Sequence, residues 1–145
     1  MGTADELMLL VTGVRRVVRR RLRTDLPGPP LRGAQVELLQ IVEAQPKIGV
    51  AAAARELHLA GNTVSTLVNQ LVDAGMLRRE SDPDDRRAAC LLLTDAAGAR
   101  LARWRGARGR LVADALERLP AHDVEALGAA LPALRNLIDE LEGEQ

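Results

Sequence analysis

A chain of 145 residues has room for one compact core, or for a small domain with an appendage, and too little for two independent domains. Its 47% apolar and 28% charged content is that of a soluble globular protein, with no apolar run near the roughly 18 residues that a membrane span needs. The formal net charge of +0 speaks against indiscriminate coating of nucleic acid, yet residues 1–30 and 95–118 each carry six Arg against three acids, while 119–145 carry one Arg against six acids.

The chain opens on MGTADELMLL, which has neither a basic leading region nor a small-residue cleavage site; no secretory signal is expected, and the protein reads as cytoplasmic. From Asp5 to Arg23, apolar side chains fall at Leu7, Leu10, Val11, Val14, Val17, Val18 and Leu22, the spacing of an amphipathic helix, with Thr3 and Glu6 placed for a capping box. The prolines of PGPP at 27–30 end it, because proline has no amide donor and disfavours helix at the residue before it. A second helix is expected from Leu31 to Ala44, with Val36, Leu39 and Val42 buried and Pro46 at its exit. Ala51 to Leu57 read as a short alanine-rich helix, a turn follows through His58 to Gly61, and Asn62 to Ala74 is periodic again. Gly75 sits where a helix end wants a residue of positive φ. Met76 to Glu80 then run extended, SDPDDRR turns, and AACLLLT returns as the second strand of a hairpin. Thr94 is the expected N-cap of a long helix through Leu101, Trp104, Leu111, Val112, Ala115, Leu116 and Leu119, weakened by Gly106 and Gly109 and broken by Pro120. A last helix, through Val124, Leu127, Leu131, Leu134, Leu137, Ile138 and Leu141, has Pro132 as a point for a kink.

Helix, tight turn, helix, then a hairpin is the outline of a DNA-reading unit, in which the second helix enters the major groove. Val64, Leu67, Val68, Leu71 and Val72 form the apolar stripe of NTVSTLVNQLVDAG and leave Asn62, Thr63, Ser65, Thr66, Asn69 and Gln70 on other faces. That face is polar and uncharged, which suits groove readout: Asn and Gln pair with adenine, and Ser and Thr bond bases or phosphates. The plainer reading is an amphipathic helix with a small polar surface. Arg86 and Arg87 at the hairpin tip suit the negative potential of a minor groove, or form a solvated turn.

The stretch LHLAGNTVSTLVNQLVDAGMLRRESDPDDRRAACLLLTDAAG resembles the recognition helix and wing of the multiple antibiotic resistance regulator (MarR) family, whose wing carries Asp-x-Arg followed by Leu-Thr and a glycine. Asp85, Arg87, Leu93, Thr94 and Gly98 occupy those places. The resemblance implies a mainly α fold with a small β-wing: a winged helix-turn-helix core at 31–94, with N- and C-terminal dimerisation helices at 1–26 and 95–145 interlocking two subunits. It makes Arg87 the minor-groove arginine, Asp85 its orienting carboxylate, Arg86 a neighbour of phosphates and Arg79 the arginine ending the first wing strand. Ala60 and Gly61 depart from the family, which often has a capping serine and a longer polar residue there. The apolar stripes of the first and last helices also exceed what so small a core can bury, and a two-fold dimer covers them. The implied partner is double-stranded DNA, a pseudo-palindromic operator with half-sites roughly one helical turn apart. Promoter occlusion makes the protein a repressor; the alternative is a winged-helix activator, or a protein-interaction module without ligand sensing.

Family members commonly bind small anions that loosen DNA binding, and Trp104 either lines such an effector pocket or anchors a core or interface. Arg15, Arg16, Arg19 and Arg20 hold an anion or face water. Cys90, the one cysteine, excludes an internal disulfide and reads as a buried thiol, and with only His58 and His122 beside it a zinc cluster is not expected. No nucleophile, base and orienting acid come together and no phosphate-binding glycine loop appears, so neither catalysis nor a cofactor is expected.

Overall fold

The computed structural model describes residues 1–25, 31, 33–81, 84 and 89–143. Among these described residues, six helices and three strands follow in the order α1 (Thr3–Asp25), α2 (Gly33–Ala44), β1 (Ile48–Gly49), α3 (Val50–Leu57), α4 (Gly61–Asp73), β2 (Leu77–Ser81), β3 (Ala89–Leu93), α5 (Asp95–Glu117) and α6 (Ala121–Gly143). This is the mainly α architecture with a small β-wing that the sequence implies. The chain divides into two compact units, Arg19–Gly106 and a second one formed by Met1–Val18 with Ala107–Gln145.

The first unit holds the core. Val64, Val68 and Leu71 of α4 are fully buried with Leu38 of α2 and Leu91 of β3, in one cluster that Ala53 of α3, Leu77 of β2 and Leu101 of α5 complete. Leu38 and Leu71 are among the largest of these side chains, and truncating either to Ala would remove about 2–5 kcal/mol. The sheet has the order β1-β3-β2 and is antiparallel throughout. β1 is an addition to the sequence reading: Ile48 pairs with Leu91 and Gly49 with Cys90, after a turn in which Lys47 takes a φ of 72° and donates its amide to the Leu91 carbonyl at 2.9 Å. β3 therefore has hydrogen-bonded neighbours on both sides, and Cys90, paired with Gly49 on one side and Glu80 on the other, is buried.

Helix ends account for the remaining differences. α2 begins at Gly33 rather than Leu31. Thr3 already lies in the first turn of α1, and the amide of Glu6 bonds the carbonyl of Gly2 at 3.1 Å, one residue earlier than a Thr3 cap would place it. At the end of α4, Gly75 takes a φ of 73°, its amide reaches the Val72 carbonyl at 3.0 Å, and the amide of Met76 reaches the Leu71 carbonyl at 2.8 Å. Those paired bonds are a Schellman cap, which turns the chain from helix into β2. The same motif closes α3, with His58 at a φ of 55° donating to Arg55 and Leu59 donating to Ala54.

In the second unit none of the described residues is buried. Leu10 and Val14 of α1 are each 62% exposed, and Leu131 and Ile138 of α6 are 50% and 54% exposed. α6 runs through Pro132 without a break.

Candidate nucleic-acid interface

α4 owes its orientation to the stripe Val64, Val68 and Leu71, each 0% exposed. Turning that side inward leaves Asn62, Thr63, Ser65, Thr66, Asn69 and Gln70 exposed, so the polar face read in the sequence is a solvent face. Its N-terminus enters from extended backbone at Ala60 (φ −64°, ψ 147°), with no side-chain cap. The Ala60 carbonyl accepts from the Val64 amide at 3.1 Å. The backbone carbonyl of Asn62 accepts from the Thr66 hydroxyl at 3.0 Å.

The exposed polar residues fall into two groups. Asn62 and Thr63 lie in the first turn, where helix geometry leaves amides without intrahelical partners, and Ser65 follows just after it. The later ones are engaged within the fold. Thr66 donates its hydroxyl proton to the backbone; Gln70 accepts from the Gln35 amide of α2 at 3.1 Å; and Asn69 accepts from the guanidinium of Arg79 on β2. Sequence reasoning missed both side-chain partners. For Arg79 a signal existed: two residues after the core position Leu77, it shares that residue's sheet face, the face on which α4 packs.

The hairpin that follows is rooted in Thr94. Its hydroxyl accepts from the Ala97 amide at 3.2 Å, capping α5, and donates to the Gly75 carbonyl at 2.6 Å, while its own amide bonds the Met76 carbonyl at 3.2 Å. On β2, Arg78 and Glu80 pair at 3.5 Å on the opposite face from Arg79. The described strands end at Ser81 and resume at Ala89; Asp85, Arg86 and Arg87, assigned to the wing tip in the sequence, lie outside the described residues. Trp104 is half-buried on α5, next to Arg105, which forms an ion pair with Glu43 of α2. Among the described residues no group of three or more His, Cys, Asp or Glu is placed to hold a metal ion, and no described helix is long and apolar enough to cross a membrane.

The comparisons with known proteins agree with this fold. Residues 29–88 match the model of the MarR family. A candidate transcriptional regulatory protein for the hcr operon of Thauera aromatica is 29% identical over 84 residues, 58% of this chain and 48% of that protein, so the match spans about half of its length. RV1404 from Mycobacterium tuberculosis superposes with a TM-score of 0.78 at 20% identity, over 92% of this chain and 90% of that one. Streptococcus pneumoniae FabT, solved in complex with DNA, superposes with a TM-score of 0.74 at 18% identity, over 95% and 99% of the two chains. At those identities the superpositions establish the fold.

Proposed function

We propose that the chain, whose segment 29–88 matches the model of the MarR family, is a sequence-specific DNA-binding transcriptional regulator of that family, acting as a homodimer on a pseudo-palindromic operator and repressing by occupying a promoter. The observation that carries this reading is the uncharged polar face of α4: it is exposed on a helix whose other side is fully buried, and a strand hairpin follows it directly. In this reading Asn62, Thr63, Ser65, Thr66 and Asn69 meet the major groove, Arg86 and Arg87 meet the flanking minor groove and its phosphates, and Asp85 orients Arg87. A fold relative solved on DNA supports the partner.

Support for the homodimer comes from the uncovered apolar sides. Val124, Leu127, Leu131, Leu134, Ile138 and Leu141 follow one another in alternating steps of three and four residues, the a and d positions of a heptad seam. Leu127, Leu131, Ile138 and Leu141 are 50%, 50%, 54% and 59% exposed in the single chain, so the seam has an apolar face to give to a second copy. Release of DNA by a small effector completes the proposal, with Trp104 as the residue assigned to its pocket.

Selection of genomic fragments by the full chain, followed by binding titrations over a range of salt, tests the function. The expected product is an inverted repeat upstream of a gene whose reporter is silenced by the protein. Arg87→Ala is expected to lower affinity and the salt dependence with the dimer intact; unchanged affinity would sink the wing assignment, and failure to retain any fragment would sink DNA binding itself. A reporter that rises instead identifies an activator.

A further inference from the structure

Asn69 and Arg79 are joined side chain to side chain where α4 packs on β2, and the chemistry of the partners fixes the sense of that bond. A guanidinium has only N–H groups, so the Asn69 atom facing it is the carbonyl oxygen Oδ1. Asn69 thereby commits the acceptor that a paired contact to adenine requires, and its amide NH2 is turned away from the arginine. Strand alternation explains why Arg79 arrives there. It lies on the face of β2 that carries Leu77, 3% exposed, and opposite Leu91, 0% exposed, whereas Arg78 and Glu80 pair with each other on the reverse face. Both Asn69 and Arg79 nevertheless keep exposed surface. Asn69 also stands four residues after Ser65 and seven after Asn62, at the end of the same helix face nearest the hairpin.

We propose that Asn69 and Arg79 work as one donor-only contact: Asn69 holds the guanidinium at the end of the reading face, and the N–H groups left on the pair take hydrogen-bond acceptors of bound DNA. Those acceptors are O6 and N7 of a guanine edge or the oxygens of a phosphate, both of which suit the planar fork of arginine. Arg79 is then a DNA-binding residue, and Asn69 its positioning residue rather than an independent reader of adenine. The proposal rests on the DNA-reading assignment of α4 made above.

The test uses the full chain, the duplex it selects from a randomised pool, and a scrambled duplex of equal length. Arg79→Ala is expected to weaken binding of the selected duplex by on the order of tenfold. Asn69→Ala is expected to weaken it less, and the double variant no more than Arg79→Ala alone, because two residues acting as a unit are not additive. Unfolding midpoints within the wild-type range certify that each variant is folded. The two sources of acceptor separate cleanly. A guanine contact flattens the preference at one base pair and leaves the scrambled duplex unaffected; a phosphate contact weakens both duplexes alike and lowers the salt slope by about one. Unchanged affinity in Arg79→Ala, or single losses that simply add in the double variant, overturns the proposal and leaves the reading of α4 standing. A wild-type chain that selects no duplex overturns both.

Discussion

Thr94 joins the wing to the helix behind it with a single hydroxyl, which accepts from the Ala97 amide and donates to the Gly75 carbonyl. Thr94→Val keeps the branched shape and removes both bonds. It is expected to cost about 1–2 kcal/mol, read as a lower urea midpoint at an unchanged slope; an unchanged midpoint would mean that neither bond contributes. This cap and the positive φ of Gly75 were legible in the sequence because their signals are local: a Thr before a periodic run and a Gly after one. The partners of Asn69 and Gln70 were not, since Arg79 is 10 and Gln35 is 35 residues away and only the packing of α4 on β2 and α2 selects them. The sequence placed Asn69 on the solvent face of α4 without showing that its side-chain carbonyl is engaged, because composition does not reveal which exposed amides already have partners.

At the scale of elements, the apolar stripes announced the helices, and boundaries moved by about a turn or less. β1 escaped notice for a physical reason. A strand of two residues, Ile48–Gly49, is too short to show alternation, and it exists through its pairing with β3. The entry to α4 shows the opposite situation, a local rule left unsatisfied. Ala60 occupies the N-cap with extended backbone and no side-chain bond, whereas Ser there would accept from a first-turn amide. Ala60→Ser is expected to stabilise the fold by about 1 kcal/mol, a gain measurable as a higher urea midpoint. No gain would mean that those amides are already satisfied by solvent. In the DNA-reading assignment, the serine side chain would also compete with a phosphate for the same N–H groups, so a stabilised variant is expected to bind duplex no more tightly than wild type.

For the whole molecule, the order of helices, hairpin and flanking helices was legible because each piece carries its own period. What covers the flanking helices was argued from their surplus of apolar surface, and the exposed seam of α6 supports that argument. Leu131→Asp places a charge at an a position that is 50% exposed in the single chain, so the protomer's own core is left intact. The expected result is a halved mass in sedimentation and loss of the concentration dependence that a dimer's melting temperature shows; an unaltered mass would remove α6 from the interface. Trp104 has a further use. With one Trp and no Tyr or Phe in the sequence, all intrinsic fluorescence of the protein originates from one half-buried indole on α5. Any change in emission on adding duplex, effector or denaturant is therefore a report from that single address, obtained from the unlabelled protein.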